Sequence, residues 1–351
     1  MKSRLHQNSA IFLKMSFFHL KQQYHTVEAF DTAAKLWDFE FVQLDRGIFF
    51  ADLVQFGDHE VVIGTCHWNR HLQQRGSAPA SFYTFAIHGP KSVPHVWRYI
   101  SCPLNSIIIF PENRELSSFS PPGYETITIS VEESYLEQLT LDLGFPELHK
   151  YAKKGEVLLA GLAEITTLKN YLHTLCWIAK KSGCDGMSPL LNEEIKWSIT
   201  KLLLRALVSS TTIKWSKTSV KKSRVISRVL DYLENNDGEN TSVPTLCKVA
   251  EVSERTLRNT FNDILSIGPK RYQQYRKLNL VRRELMRSES GPLLISDIAN
   301  VNGFWHMGQF AADYSSLFGE LPSETIKKIT TNSSAKNSQR TSFGWDRPRM
   351  Q

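Results

Sequence analysis

Residues 246–261 read LCKVAEVSERTLRNTF, and residues 298–314 read IANVNGFWHMGQFAADY. Each stretch opens with a short apolar run, passes through a turn and continues with a leucine or an aromatic residue at every fourth position. This spacing predicts two helices joined by a tight turn, twice over. The second helix of such a unit enters the major groove of DNA. The repeat therefore predicts a sequence-specific DNA-binding domain with two recognition helices in successive major-groove faces.

The second helix of the first stretch carries the clearest signs of base recognition. Ser253 is a good N-cap for a helix that begins at Glu254. The predicted buried stripe has one apolar residue per turn, at Leu257, Phe261 and Leu265. The opposite face carries four polar side chains, Arg255, Arg258, Asn259 and Asn262. Because Arg pairs with guanine and Asn with adenine, these four are predicted to contact bases. The alternative is an ordinary solvated helix face.

The second stretch aligns with the first when one residue is added in its turn. Phe304 then matches Val252, and the apolar stripe becomes Phe310, Tyr314 and Phe318. The outward face carries small side chains, Gly308, Ala311, Ala312 and Ser315. We expect this helix to contact phosphates through its N-terminal amides and thymine methyl groups through alanine. His306 and Gln309 are its polar candidates, and for His306 we expect an N-cap or a phosphate contact.

A basic helix is predicted between the two units. Pro269 suits a helix start, and an apolar stripe continues to residue 287. Such a helix spans about 27 Å, close to the roughly 34 Å between successive major-groove faces. Five basic residues decorate it, Arg276, Lys277, Arg282, Arg283 and Arg287. We expect them to neutralise phosphates along the DNA, and the alternative for some of them is an ordinary solvated surface.

Residues 222–328 resemble the AraC/XylS family of bacterial transcription regulators. The resemblance rests on the runs at 252–257, 267–269, 279–285 and 303–310, which are most similar to the ethanolamine-operon regulator subtype. It implies base contacts by Arg255, Arg258 and Asn259, and further contacts around Met307, Gly308, Gln309, Ala311 and Ala312. Many members carry Arg at the position of Ala312 and Ser at those of His306 and Gly308. The departure implies that the second unit reads bases less strongly than the first.

The remaining chain is predicted to divide into several segments, giving an α+β protein. Residues 1–35 are an expected extension, and residues 36–130 show short strands between Gly and Pro breaks, typical of a β-sandwich or barrel. Residues 131–208 are helical, 209–223 form a basic linker, 224–330 hold the helix-turn-helix units, and 331–351 are an expected disordered tail. The resemblance implies that the β-domain is cupin-like, and that it and the helical segment serve effector binding and dimerisation. The alternative for the helices is packing on their own β-domain only.

The β-domain offers several candidates for an effector site. The candidates for a ligand pocket are Trp37, Phe49, Phe82, Tyr83, Phe85, Trp97, Arg70 and Arg75. The alternative is that the aromatic residues are core and the arginines surface. A metal-binding or enzymatic cupin would need a His-x-His set. Cys66, His67, His71, His88 and His95 do not supply one.

Two further classes of DNA-binding protein are alternatives. A methyl-acceptor repair protein needs a Pro-Cys-His setting, and Cys102-Pro103 has the reverse order. The remaining alternative is a purely structural DNA-binding protein without a sensor. We expect no catalytic site, no cofactor and no metal.

The bulk composition agrees with these expectations. The chain has 351 residues, of which 41% are hydrophobic, enough for two or three domains with cores. Lys and Arg number 42 against 35 acidic residues, which gives a formal charge of +7 and favours an anionic partner. Five cysteines without a Cys-x-x-Cys pair and no apolar run of membrane-spanning length indicate a cytoplasmic protein. The expected partners are double-stranded DNA, RNA polymerase, a small-molecule effector and a second copy in a homodimer; no membrane partner is expected.

Overall fold

The structure is a computed structural model of the chain. It describes residues 17–328 apart from 34–36, 91, 111–115, 146–156, 183–187, 237–240 and 288–294. The expected tail at 331–351 and the first sixteen residues of the expected extension lie outside the described residues.

The first part of the chain is mainly strands. These are β1 (Phe18–Tyr24), β2 (Asp38–Gln43), β3 (Ala51–Gly57), β4 (Val61–Trp68), β5 (Leu72–Ser77), β6 (Phe82–His88), β7 (His95–Trp97), β8 (Ile100–Cys102), β9 (Ser106–Ile109), β10 (Leu116–Ser120), β11 (Tyr124–Glu132), β12 (Val157–Leu159) and β13 (Thr211–Thr212). They form an eight-stranded sheet in the order β1-β3-β4-β11-β6-β9-β12-β13 and a five-stranded sheet in the order β2-β5-β10-β7-β8. All neighbouring strands are antiparallel.

The helices begin within this β-domain and dominate the rest of the chain. They are α1 (Val27–Ala33), α2 (Glu133–Asp142), α3 (Leu162–Ser182), α4 (Pro189–Val208), α5 (Lys217–Asn235), α6 (Val243–Ala250), α7 (Glu254–Leu265), α8 (Pro269–Arg287), α9 (Ile295–Val301) and α10 (Met307–Phe318). Residues 322–328 are also helical. Among the described residues, no helix combines the length and the apolar character needed to cross a membrane.

The predicted α+β class is confirmed, with an antiparallel β-domain followed by a helical helix-turn-helix domain. The two sheets remain open rather than closing into a barrel. They face each other as a sandwich, because inward side chains of both, such as Phe41 and Leu53, line one shared cavity. Strand alternation sends every second residue of β2 and β3 to this cavity, such as Phe39 and Phe41, and Leu53 and Gln55.

The β-domain begins earlier than residue 36, contrary to the sequence-based expectation. Strand β1 pairs along its whole length with β3, from Phe18 opposite Gly57 to Tyr24 opposite Ala51. In α1, Phe30 is fully buried against Phe41 and Trp68. A single edge strand gives a weak sequence signal, and its partner lies about thirty residues away along the chain.

Helices α2, α3 and α4 cover the other face of the eight-stranded sheet. Ile127, Ile129 and Val131 of β11 point into this layer, while Thr126 and Thr128 between them line the cavity. Buried leucines of α3 and α4 complete the core on the helical side. The alternation along one strand thus separates a dry core from a cavity wall.

Helix α4 is also tied to the sheet by a buried lysine. The Lys196 ammonium lies 2.9 Å from Asp58 Oδ2 and 2.7 Å from Glu193 Oε1, and it also contacts Glu60. Burial alone would lower the pKa of Lys196, but the hydrogen bonds that its ammonium donates to these carboxylates outweigh burial and raise the pKa above its ordinary value. The lysine is therefore charged and fully paired.

The helix-turn-helix domain is built around α8. Tyr272, Leu278 and Val281 of this helix are buried among apolar residues of α5, α6, α7 and α10. The expected linker at 209–223 is shorter in the structure, because α5 begins at Lys217 with Ser216 as its N-cap. The helical pattern of α5 starts with polar residues, so its first turns give no apolar signal.

The five-stranded sheet joins the two domains. Val42 and Phe119 on its outer face share a core with α8 and α10. Asn279 exchanges hydrogen bonds of 3.0 Å with the backbone of Gln43, and the Tyr272 hydroxyl donates to Gln73 Oε1 at 2.7 Å. These paired polar groups are buried, which fixes the register between the domains.

Two arginines of α8 belong to this junction rather than to the predicted phosphate-facing surface. Arg282 is buried and pairs with Glu28 of α1 at 3.1 Å and with Glu320 at 2.7 Å. Arg283 pairs with Glu40 and donates to the Phe41 carbonyl at 2.8 Å. The sequence shows that a helix has a basic face, but only the tertiary fold shows which neighbour covers it.

Candidate nucleic-acid interface and ligand cavity

The first helix-turn-helix unit closes its turn through backbone bonds. Helix α6 starts after Ser242, which caps it, and ends at Glu251 in the left-handed conformation with φ of 56°. The amides of Glu251 and Val252 donate to the carbonyls of Lys248 and Cys247 at 3.2 and 3.1 Å. This is the αL helix ending that aims the following helix away from the first.

The predicted recognition helix of this unit forms as expected. Ser253 caps α7 by accepting a hydrogen bond from the Thr256 amide at 3.3 Å. The predicted stripe is fully buried, at Leu257, Phe261 and Leu265. The four predicted base-contacting side chains are all exposed, at Arg255, Arg258, Asn259 and Asn262. One continuous polar face is therefore open to a partner.

Arg258 is not locked in place. It forms an ion pair of 2.6 Å with Glu254 one turn earlier, and both side chains are more than half exposed. Such a surface pair contributes little to stability, so the guanidinium can leave it for a stronger acceptor. A guanine edge or a phosphate offers a bidentate or more highly charged acceptor.

The second unit repeats the first with the predicted extra residue. Gly303 takes the left-handed position of Glu251, with φ of 81°, and the Phe304 amide donates to the Ala299 carbonyl at 2.9 Å. Helix α10 has 12 residues, as α7 does, and buries Phe310, Tyr314 and Phe318. The added residue lies between Phe304 and the helix start.

The N-terminus of α10 differs from that of α7. His306 is the N-cap residue, which is one of the two roles expected for it from the sequence. Its exposed side chain makes no capping hydrogen bond. The first amides of α10 thus lack a side-chain acceptor, and the helix dipole adds positive potential there. A phosphate oxygen could accept from these amides.

The outward face of α10 carries small side chains and one carboxylate. Gly308, Gln309 and Ala312 are exposed, Ala311 is half-buried, and Met307 packs partly against the domain core. Gln309 donates to Asp313 at 3.0 Å, and Asp313 also accepts from Gln274 at 2.7 Å. The carboxylate on this face disfavours a close phosphate, which sequence reasoning did not consider.

Sequence reasoning also missed two apolar side chains beside this helix. Val301 is 76% exposed and Trp305 is 70% exposed. Trp305 directly precedes His306, so it lies next to the uncapped helix start. A tryptophan in the turn between two helices is expected to pack inward, and its exposure is visible only in the structure.

A basic stripe on α5 adjoins the first unit. Lys217, Lys221, Arg224 and Arg228 are exposed at helical spacings of four and three. Arg228 pairs with Glu251 in the turn of the first unit at 3.2 Å, and Lys222 pairs with Asp263 of α7. The helical spacing of these residues could have identified the stripe in the sequence.

The cavity between the two sheets has a volume of about 90 Å³. Aromatic residues dominate its wall, among them Trp37, Phe39, Phe41, Trp68 and Phe110. Its polar lining includes Gln55, Gln74, His95, Ser118 and Thr126. A largely apolar cavity with a few polar groups is the usual form of a small-molecule site.

Of the eight predicted pocket residues, Trp37 and Trp97 line this cavity. Phe49, Tyr83 and Phe85 are instead buried in cores outside it. Arg70 donates to the carbonyls of Arg46 and Ile48, and Arg75 pairs with Glu234 of α5. Phe82 does not line the cavity either.

Two clusters of side chains in the β-domain are of types that can bind metals. Within the described part of the chain, one group of carboxylates lies close enough together to share a cation: Asp58, Glu60 and Glu193. The Lys196 ammonium already lies among these three carboxylates. His88 Nε2 and His95 Nδ1 lie 2.9 Å apart and form a hydrogen bond. Burial lowers the pKa of His88 to about 4, so this pair is neutral.

Comparison with known proteins gives a consistent family. A family profile described as a helix-turn-helix domain matches residues 246–328. The XylDLEGF operon transcriptional activator 1 of Pseudomonas putida is 28% identical over 218 residues, which cover 61% of this chain and 67% of that protein. The XylDLEGF operon transcriptional activator 2 of the same organism is 32% identical over 128 residues, which cover 36% of this chain and 82% of that protein.

Among solved structures, a probable AraC family transcriptional regulator from Rhodopseudomonas palustris is 25% identical and covers 30% of this chain and 96% of its own, with a TM-score of 0.28. That score carries no argument about the fold. The sequence relatives and the duplicated helix-turn-helix geometry decide the assignment. The chain belongs to the AraC/XylS family and is a DNA-binding regulator of transcription.

Proposed function

We propose that this protein is a sequence-specific, effector-responsive activator of transcription that inserts α7 and α10 into successive major-groove faces. The observation that carries this proposal is the pair of 12-residue helices in equivalent turns, one with an exposed Arg/Asn face and one with a smooth face. Activation is supported by the names of the relatives, which are transcriptional activators. As a regulator of transcription it would act in the cytoplasm, with RNA polymerase as its partner at the promoter.

The two helices would contribute unequally to recognition. A bidentate Arg or Asn contact gives about 1–3 kcal/mol of discrimination between bases. Arg255, Arg258, Asn259 and Asn262 can make such contacts, whereas Gly308, Ala311 and Ala312 can offer only methyl contacts or shape. Helix α10 would add affinity through its uncapped N-terminal amides beside His306. A sharply specified half-site would therefore adjoin a weaker one, about one helical turn away.

Selection of bound sequences from a random DNA pool tests this division. Arg258→Ala is expected to relax the preference at one or two base pairs of the sharp half-site. Ala312→Gly is expected to leave the selected sequence unchanged, with at most about 1 kcal/mol lost from helix stability. Arg46→Ala, an exposed arginine of the β-domain, is the matched control. Two equally sharp half-sites, neither altered by Arg258→Ala, would contradict the proposal.

Effector control would pass through the five-stranded sheet. Phe39, Phe41, Gln74 and Ser118 line the cavity on its inner face. The residues between them, Glu40, Val42, Gln73 and Phe119, contact the DNA-binding domain on its outer face. A ligand that shifts these strands would therefore shift the surface on which α8 rests. One layer of backbone separates the cavity from the DNA-binding domain.

A homodimer through α4 is supported by its charge pattern. Glu193 and Glu194 are exposed near its start, Arg205 is exposed near its end, and Trp197 is 43% exposed between them. Two copies packed antiparallel would set each acidic end against a basic end around the tryptophans, which is a self-complementary arrangement. Trp177 and Ile178 of α3 are exposed apolar residues as well.

Light scattering of the full chain tests the dimer. The mass is expected to correspond to two chains, and Trp197→Asp is expected to give one chain without loss of helical circular dichroism. Val301→Asp, at a more exposed apolar site in the DNA-binding domain, is the control. A strict monomer at high concentration would contradict the dimer and favour packing of the helices on their own β-domain alone.

The runs at 252–257 and 303–310 further support the ethanolamine-operon regulator subtype. Mapping of bound promoters in the native cell distinguishes this from the XylDLEGF-type operons of the relatives. Binding beside ethanolamine genes would support the subtype, and binding only at XylDLEGF-type operons would contradict it.

A further inference from the structure

We propose that the cavity between the two sheets takes a small uncharged carboxamide, whose amide group pairs with the Gln55 side chain through two hydrogen bonds. This inference rests on the proposed function, in which the cavity is the effector site. It goes further by assigning the polar anchor, the charge and the size of the effector.

Gln55 lies in β3 and points into the cavity. Its neighbours Val54 and Phe56 belong to the core beneath the helical layer. Strand alternation therefore directs Gln55 to the opposite face, where it lines the cavity together with Leu53. Gly64 is its register partner on β4, and a Cβ on this glycine would lie 3.7 Å from Gln55 Nε2. Because Gly64 has no side chain, this side of the amide stays uncovered.

The Gln55 amide lacks a protein partner. The residue is only 5% exposed, yet its side chain makes no hydrogen bond to any residue that the structure describes. The other glutamine of the wall is satisfied, because Ser118 donates to Gln74 Oε1 at 2.5 Å and Gln74 Nε2 donates to Ser120 at 2.6 Å. Buried amides normally have partners for both their oxygen and their nitrogen. For Gln55 these partners must come from a molecule inside the cavity.

A second amide satisfies both ends of the Gln55 side chain at once. Glutamine presents a carbonyl acceptor and an NH₂ donor side by side in one plane. A primary carboxamide carries the same two groups in the same arrangement, so the two amides can exchange two hydrogen bonds. A hydroxyl has its donor and its acceptor on one oxygen, and a ketone has no donor. The pairing holds for either assignment of the Gln55 oxygen and nitrogen, since the ligand amide can turn over.

The ligand must be uncharged because the wall offers no opposite charge. None of the lining residues that the structure describes is Lys, Arg, Asp or Glu. Burial holds the pKa of His95 well below its ordinary 6.5, and it raises the pKa of both Cys66 and Tyr124. All three are therefore neutral near pH 7. A carboxylate or ammonium placed here would lose its hydration without gaining a counter-ion.

The volume and the aromatic wall set the rest of the ligand. About 90 Å³ is roughly three-fifths of the ~150 Å³ cavity that holds benzene, so about four non-hydrogen atoms fit and a ring does not. Trp37 lies with its ring centroid 5.1 Å from Phe39 and 5.2 Å from Phe110. These apolar faces suit a short alkyl group behind the amide. A ligand of this size binds no more tightly than roughly tens of micromolar.

Three flat compounds of equal size test the charge of the ligand: acetamide, acetate and acetamidinium. Their binding to the full chain is measured by ligand-observed NMR at millimolar concentration. Acetamide is expected to bind, and each ion is expected to bind at least about tenfold more weakly, because it finds no counter-ion in the cavity. Binding of either ion as tightly as acetamide would overturn the proposal. Failure of acetamide to bind would show that water alone pairs with Gln55, and would also overturn it.

Benzamide tests the size of the ligand. It carries the same amide as acetamide but adds a ring, so it is expected not to bind at the same concentration. Binding of benzamide as tightly as acetamide would overturn the assigned size.

A conservative variant tests the role of Gln55. Gln55→Leu keeps a side chain of similar volume but removes both hydrogen-bonding groups, and it breaks no bond within the protein. It is expected to weaken acetamide binding by roughly tenfold and to leave the binding of isobutene, an apolar molecule of the same shape, unweakened. Gln138→Leu, at an exposed glutamine of α2, is the matched control. Equal loss of both compounds in Gln55→Leu would show a packing role and overturn the assigned pair.

A parallel measurement separates this inference from the proposed function. DNA affinity is measured with and without acetamide, in the parent protein and in Gln55→Leu. Binding of acetamide through Gln55 with no change in DNA affinity would contradict effector control but leave the ligand class standing. A change in DNA affinity caused by acetate alone would support effector control and overturn the ligand class.

Discussion

At the scale of single residues, burial decides the chemistry of the ionisable groups. Lys196 is nearly inaccessible, yet it remains charged because carboxylates and Asn192 surround the same site. Hydrogen bonds from Lys196 and the nearby amides outweigh the burial of Asp58 and lower the pKa of this carboxyl. His71 is also buried, and burial lowers its pKa to about 4. The first site holds a paired charge, and the second excludes one.

Removal of the Lys196 charge is expected to destabilise the β-domain. Lys196→Met would leave Asp58 buried without its cation, and breaking a buried pair costs about 3–5 kcal/mol of the free energy of unfolding. Urea unfolding followed by circular dichroism measures this loss. Lys181→Met, at an exposed lysine of α3, is expected to change the free energy by less than about 1 kcal/mol. Equal effects of the two variants would contradict the pairing.

The buried histidines predict a loss of stability on mild acidification. The folded protein keeps His71 neutral down to about pH 4, whereas the unfolded chain protonates it near its ordinary pKa of 6.5. Since unfolding takes up a proton between these values, stability is full above pH 6.5 and falls as the pH drops towards 4. Each such group contributes up to about 1.4 kcal/mol per pH unit.

Urea unfolding between pH 7.5 and 4.5 tests the histidine contribution. His71→Gln is expected to reduce the slope of stability against pH, and His173→Gln, at an exposed histidine, is expected to leave it unchanged. The same slope in His71→Gln as in the parent protein would show that His71 is protonated in the folded state.

At the scale of elements, the two recognition helices share one geometry but differ at their N-termini. Both have 12 residues and follow a left-handed turn residue. Ser253 caps α7 through its side chain, whereas His306 at the same position of α10 does not. One helix start is satisfied within the protein, and the other is open to an anion.

Alanine substitutions at the two N-caps should therefore differ. Ser253→Ala removes a hydrogen bond to the Thr256 amide and is expected to lower the free energy of unfolding by about 1 kcal/mol. His306→Ala removes no capping bond and is expected to change stability little, although it can weaken DNA binding. Thermal unfolding without DNA compares the two variants. A larger loss in His306→Ala would indicate that its side chain caps α10 in solution.

At the scale of the whole molecule, the five-stranded sheet is both the wall of the cavity and the seat of the DNA-binding domain. Arg282 and Arg283 reach from α8 to Glu28 and Glu40 of the β-domain. The junction buries charged groups as well as apolar ones, so both domains are expected to unfold together. A junction of this kind can transmit a change in the cavity only while it remains intact.

Weakening the junction is expected to separate the unfolding of the two domains. The double substitution of Glu40→Ala and Arg283→Ala removes an ion pair between the domains, and calorimetry should then resolve two transitions in place of one. The double substitution of Lys222→Ala and Asp263→Ala removes a pair inside the DNA-binding domain and is expected to keep a single transition. Two transitions already present in the parent protein would contradict this coupling.

Local patterns in the sequence were enough to define the duplicated helix-turn-helix. The caps, the left-handed turns and the one-residue offset all depend on neighbours within about five positions, and so the start of α7 at Glu254 and the buried stripe were predicted correctly. The α+β class was equally accessible, because strand and helix periods differ. The exposure of Arg255, Arg258, Asn259 and Asn262 followed from the same helical period.

The tertiary structure alone decided what covers each surface. The sequence assigned Arg282 and Arg283 to DNA, but residues more than two hundred positions away in the β-domain bind them. Alternation gives every strand two faces, yet it does not say that Phe41 meets a cavity while Val42 meets α8. Burial and pairing depend on contacts between distant parts of the chain, so the cavity and its uncharged wall form only when those parts come together.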